Sequence, residues 1–98
     1  MIIRYKRPFA QFVKKSRKPL QLAIEDIVIA ICRNPRIGTQ KKGDLQDVYV
    51  YKFCFHRQEY LIAYRYGSND EDLNILWIDF YKVGSHENFY TELKKLIH

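Results

Sequence analysis

Cysteine, glycine and long apolar runs are all scarce in this sequence, and each scarcity removes a class of protein. The two cysteines, Cys32 and Cys54, lie in separate hydrophobic segments without CxxC spacing. Buried free thiols account for them better than a disulfide or a metal pair, so redox chemistry drops out. The four glycines form no GxGxxG, no GxxxxGKS/T and no GxSxG, which excludes nucleotide enzymes and α/β hydrolases. His86-Glu87 opens like HExxH, but Tyr90 stands at the second histidine position, which excludes the zinc proteases. The three histidines, His56, His86 and His98, lie far apart, so neither a metal nor another cofactor is expected. The longest apolar run, Ile27 to Cys32, is far short of the roughly 20 residues that cross a bilayer. The opening MIIRYKRP carries charges where a signal peptide has its apolar region, and a cytoplasmic protein is expected.

What is present is apolar bulk and positive charge. With 98 residues, 47% hydrophobic and 15% aromatic, the chain reads as one folded domain over residues 1–98 rather than a disordered segment or a solenoid. Seventeen Lys and Arg against eleven Asp and Glu leave a net charge of +6, which favours a polyanion such as nucleic acid, or an acidic protein partner. The basic residues crowd Arg4 to Lys18 and Arg33 to Lys42, whereas acids gather in the loop Asn69 to Asp72 and at Asp44, Asp47 and Glu87. One such run alone is ordinary solvated surface; their sum points to a partner.

Periodicity gives the order of elements. IIRY is a short β-prone piece, and Pro8 suits the start of a helix that carries Phe9, Phe12 and Val13 on one face. In PLQLAIEDIVIAICRNP, Leu20, Ile24, Ile27, Val28 and Ile31 recur at helical spacing up to the Asn34-Pro35 breaker. The period then changes to two. Val48, Val50 and Cys54 alternate with Tyr49, Tyr51, Phe53 and Phe55, with Lys52 the one charge among the first set. Polar HRQE and GSNDED separate this strand from YLIAYRY and LNILWIDFY. Ser85 reads as the N-cap of a last helix with Phe89 and Leu93 on its apolar stripe. The expectation is an α+β fold of order β-α-α-β-β-β-α, with an antiparallel sheet, two N-terminal helices on one face and a C-terminal helix. Most of Tyr49, Tyr51, Phe53, Phe55, Tyr64 and Trp77 are expected in the core, and a minority are free to stack on bases.

Chemistry without a cofactor is open to such a chain. RNA supplies its own nucleophile, the 2′-hydroxyl, so a protein need only align the strand, move two protons and stabilise the charge on phosphorus. Histidine, glutamate and tyrosine handle protons, and lysine and arginine hold phosphate. A helix starting at Ser85 sets His86 and Tyr90 one turn apart beside free backbone N–H groups. The same spacing also serves two residues that merely flank the Phe89 and Leu93 stripe.

The succession IIRYKRPFAQFVKK, a long helix ending RNP, KKGDLQDVYVYKF, YLIAYRY and VGSHENFYTELKK resembles the RelE/ParE superfamily of bacterial type II toxins, specifically its ParE-like branch, over essentially the whole chain. That resemblance implies a toxin neutralised by a cognate antitoxin. It implies one of two activities: ribosome-dependent cleavage of messenger RNA, or inhibition of DNA gyrase by binding. For the nuclease, it matches Lys52 to a basic strand position and His86 and Tyr90 to a C-terminal pair. Lys52 and Arg65 would then hold the scissile phosphate, His86 would act as acid or base with Glu87 modulating it, and Tyr90 would orient the reacting groups. Arg36, Lys41 and Lys42 would bind RNA phosphates. One departure stands out: YLIAY places Leu61 where relatives carry an arginine.

Overall fold

The structure, a computed structural model, describes residues 1–69 and 74–97. Strand β1 (Ile2–Tyr5) leads into helices α1 (Arg7–Lys15) and α2 (Lys18–Arg33), with Pro8 and Pro19 in their first turns. Proline loses nothing there, because first-turn N–H groups have no intrahelical acceptor. At the end of α2 the Asn34 side chain accepts a hydrogen bond from the Arg36 N–H and opens a single 3-10 turn, Pro35–Ile37. The two-residue strand β2 (Thr39–Gln40) and a second 3-10 turn (Gly43–Leu45) follow. Then come β3 (Tyr49–Phe55), β4 (Gln58–Ser68), β5 (Ile75–Ser85) and helix α3 (Phe89–Ile97). The expected acidic stretch Asp70 to Asp72 and His98 lie outside the described residues.

The strands form one sheet in the order β1-β5-β4-β3-β2. β2 to β5 are antiparallel neighbours, but β1 lies parallel to β5, with Ile2 beside Trp77 and Tyr5 beside Phe80. The α+β class and the element order hold, while the sheet is mixed rather than wholly antiparallel. The reason is the connection: two helices intervene before the chain returns to the sheet, and a long crossover permits the parallel pairing that a hairpin forbids.

Side-chain alternation divides the interior into two cores. Phe9, Ile24, Val28 and Ile31 from the first two helices meet Ile62, Tyr64, Ile78, Phe80 and Val83 on one face of the sheet. On the other face α3 lays Phe89 and Leu93 over Val48, Val50, Leu61 and Ala63, with Leu45 closing the edge. Each such side chain contributes about 1.5–3 kcal/mol on burial. The second face is therefore partly roofed by α3.

Three local expectations need correction. Gly84 and Ser85 continue β5 opposite Leu61 and Tyr60, so α3 starts at Phe89 and Ser85 is no N-cap. Cys54 is exposed on β3, not buried, because α3 does not reach that end of the strand's second face. Trp77 packs in neither core; its ring lies across Gly67, its neighbour on β4, where any Cβ would collide with the indole.

Candidate functional site

The face carrying α3 also carries most of the anticipated chemistry, in three separate groups. The first surrounds Tyr90. This residue follows Phe89 at the start of α3 and leans on the second core. The His86 ring approaches it edge-on, with centroids 6.0 Å apart, and the Lys41 ammonium lies 5.2 Å from its ring centre. His86 sits in the loop before the helix and its carbonyl accepts a hydrogen bond from the Phe89 N–H (3.3 Å). The pair thus meets although the two residues are not on one helical turn. Glu87 and Lys42 are exposed beside this group in sequence.

The second group surrounds Tyr81. Between the pairs Ala63/Lys82 and Tyr64/Phe80 the β4–β5 register shifts, which leaves Tyr81 as the extra residue of a bulge. A bulge re-aims the side chain it carries, and Tyr81 packs against the second core. Two cations flank its ring: the Arg65 guanidinium at 5.6 Å and the Lys6 ammonium at 5.8 Å. Arg65 alternates with Leu61 and Ala63 along β4 and so shares their face. One of its terminal nitrogens reaches the Gln46 carbonyl at 3.5 Å, while its Nε is buried without a hydrogen-bond partner. Alongside, Arg4 pairs with the buried carboxylate of Asp79 on the neighbouring strand at 2.5 Å.

Lys52 stands apart. It is exposed and lies 3.9 Å from Glu59. It faces Leu61 in the β3–β4 register, four residues along β4 from Arg65, about 13 Å. The structure thus does not bring Lys52 and Arg65 to one phosphate. Leu61 is fully buried and clusters with Phe89 and Leu93, so the position at which the resemblance leads one to expect an arginine here belongs to the core. Arg36 is exposed on the first 3-10 turn, near the Tyr49 hydroxyl.

Sequence reasoning missed Lys6 and Tyr81. Lys6 enters because β1 pairs with β5, where its N–H donates to the Phe80 carbonyl at 2.8 Å, and Tyr81 because of the bulge. Neither the pairing nor the bulge leaves a mark in residue spacing.

Two phenols elsewhere are strongly perturbed. Tyr64, which donates to the Pro35 carbonyl and accepts from the Gly38 N–H, is pushed up to about 12, by burial above all. Tyr49 is also pushed up to about 12, first by the hydrogen bond its hydroxyl shares with that of Tyr66 at 3.3 Å and then by burial. Among the described residues no group of histidine, cysteine, aspartate or glutamate is placed to hold a metal ion, and no helix is long and apolar enough to cross a membrane.

Comparison with known proteins gives these groups a context. A free, doubly substituted form of the E. coli toxin RelE has a similar fold: TM-score 0.66, 19% identity, covering 99% of this chain and 97% of that one. A chain of the intact E. coli RelBE toxin–antitoxin complex is similar at TM-score 0.62 and 17% identity, covering 88% of this chain and 96% of that one. At such identity the likeness speaks for the fold alone. No curated protein sequence matches the chain. The model of the ParE-like toxins, however, matches residues 3–94, nearly the full length. By that match the chain belongs to the ParE-like toxins of type II bacterial toxin–antitoxin systems.

Proposed function

We propose that this toxin is a metal-independent, ribosome-dependent endoribonuclease that cuts messenger RNA and so halts translation, and that a cognate antitoxin neutralises it. The observation that carries this reading is the group of His86, Tyr90 and Lys41, in which a proton carrier, a phenol and a cation share one exposed corner. His86 takes the proton from the attacking 2′-hydroxyl or gives one to the leaving 5′-oxygen. Tyr90 orients the reacting nucleotide, and Lys41 balances charge gathering on phosphorus. Arg65 and Lys6, held against Tyr81, receive a neighbouring phosphate of the same strand. Lys52 and Lys42 add to the positive field. An antitoxin with an acidic segment suits a chain of net charge +6, and E. coli RelE, similar in fold, forms a toxin–antitoxin complex, RelBE.

A second reading has its own support. Leu61 in the core removes the arginine expected on that strand, which is what a toxin that inhibits DNA gyrase by binding alone would tolerate.

Controlled expression of the wild type and of a His86→Ala/Tyr90→Phe variant, followed by primer extension on cellular messenger RNA, separates the two. New cuts that vanish in the variant support the nuclease. Growth arrest without cuts, unchanged in the variant, sinks it and turns attention to gyrase.

A further inference from the structure

We infer that the cleft between the β3–β4 turn and the start of α2 is a docking site for folded RNA, whose phosphates it holds with Arg17, Lys18 and Arg57 while the His56 ring lies against a ribose at the rim. This deepens the proposed function by adding a second RNA contact apart from the reactive corner, and rests on that reading only for the identity of this RNA as ribosomal.

The cleft, of about 340 Å³, has Arg17 and Leu20 on its helical side and Phe55, His56 and Tyr60 on its hairpin side. No acid precedes Glu25 in the sequence, and Lys14, Lys15, Arg17 and Lys18 bring four cations to the junction of α1 and α2. Arg57 adds a fifth from the turn. All five are exposed, and among the described residues none of them meets a carboxylate. Elsewhere Arg4, Lys82 and Lys94 are matched with Asp79, Glu92 and Asp44. Positive charge left uncompensated around a concave surface draws a polyanion to it.

The turn gives the second indication. His56 and Arg57 have φ of 49° and 65°, in a two-residue loop that asparagine and glycine would fit without strain. Backbone strain of this kind gathers where side chains are put to use. Although exposed, the His56 ring is held flat on Phe55, with centroids 4.2 Å apart and planes 15° apart. An imidazole and a guanidinium are thus kept at the cleft mouth against the preference of the backbone that carries them.

The same groups select the partner. Single-stranded nucleic acid is bound on a succession of open rings, and here Phe55 and Tyr60 are half-buried, which leaves one exposed ring among five cations. That balance suits duplex RNA, which proteins read by shape, ribose and phosphate. Placement agrees. Tyr60 pairs across the sheet with Ser85, the residue before His86, so cleft and reactive corner share one end of the sheet. They open on opposite faces, because Tyr60 meets Phe12 of α1 whereas Tyr90 belongs to α3. The cleft therefore holds an RNA element other than the segment being cut, and a nuclease that acts only on the ribosome needs such a hold.

Fluorescence anisotropy of a labelled 2′-O-methylated RNA hairpin, which keeps its duplex and lacks the attacking hydroxyl, tests the site on the purified chain. Arg17→Gln and Arg57→Gln should each reduce the magnitude of the slope of log affinity against log salt by about 0.9. Lys95→Gln, the same charge change on an exposed residue of α3, should leave that slope as it is. His56→Asn with Arg57→Gly, which relaxes the turn, should weaken binding by about 10- to 150-fold, the worth of one hydrogen bond to a charged group, while raising the urea midpoint; a variant that merely damaged the fold would lower both. The proposal is overturned if Lys95→Gln weakens binding as much as Arg17→Gln, or if a single strand of equal length binds as tightly as the hairpin. It is also overturned if polyglutamate at equal charge concentration displaces the hairpin in full, which would give the cleft to an acidic protein. Hairpin binding of the expected pattern without cuts in cellular messenger RNA would sink the nuclease and leave the site standing; cuts, with a hairpin affinity that none of these substitutions moves, would do the reverse.

Discussion

The Lys41 ammonium sits 5.2 Å from the centre of the Tyr90 ring, and the His86 ring meets the same tyrosine edge-on. Two segments far apart in the chain, the loop after β2 and the start of α3, therefore converge on one phenol, whose body is anchored on the second core. Under the nuclease reading His86→Ala is expected to slow cleavage by about 100- to 10,000-fold, the worth of one general acid or base. Single-turnover cleavage of messenger RNA on programmed ribosomes measures it, and a loss under tenfold would remove His86 from proton transfer.

Leu61 gives a second prediction, about stability. Leu61→Arg introduces the residue that the resemblance leads one to expect but drives an unpaired charge beneath Phe89 and Leu93, at an expected cost of about 3–5 kcal/mol. Leu61→Met should cost less than about 1.5 kcal/mol. Urea denaturation of the three proteins decides. An arginine tolerated without loss would mean that α3 readily lifts from the sheet.

The β3–β4 turn carries strain in residues poorly suited to it. His56 and Arg57 have φ of 49° and 65°, the geometry of a two-residue hairpin loop that asparagine and glycine favour. His56→Asn with Arg57→Gly is expected to stabilise the fold by about 1–2 kcal/mol, read as a higher urea midpoint with unchanged m-value.

Alkali should weaken the protein through its tyrosines. Tyr64 and Tyr49 move from 10.0 to about 12 in the folded state, so the unfolded chain gives up these protons first. Their contribution is whole below pH 10 and drains away as the pH rises towards 12. Stability measured across that window should fall more steeply for the wild type than for Tyr49→Phe, and absorbance at 295 nm should show late-titrating phenols.

Helix α2 and the alternation of β3 were legible because each is a long stretch of one period, and the period alone decides which face is buried. The start of α3 was not. Ser85 has the chemistry of a cap, but its backbone is already committed to Tyr60 across the sheet, and pairing with a neighbour overrides a local preference. Size alone does not say which of the strand aromatics stays out of the core, and the residue that explains the place of Trp77, Gly67, is ten positions earlier on another strand. The spacing of His86 and Tyr90 and the family resemblance both anticipate their pairing, but Lys41 at that corner is expected from the sequence only as a phosphate binder. Its approach to Tyr90 depends on how the loop after β2 folds back, which no local pattern encodes.

The parallel pairing of β1 with β5 also sets a timetable. Ile2 waits for Trp77, and Arg4 for Asp79, so the first strand to leave the ribosome is among the last to find its neighbour. Contacts of such sequence separation close slowly, and His86 and Tyr90 are synthesised later still. The corner of His86 and Tyr90, like the seam between β1 and β5, therefore assembles only after all five strands have been made.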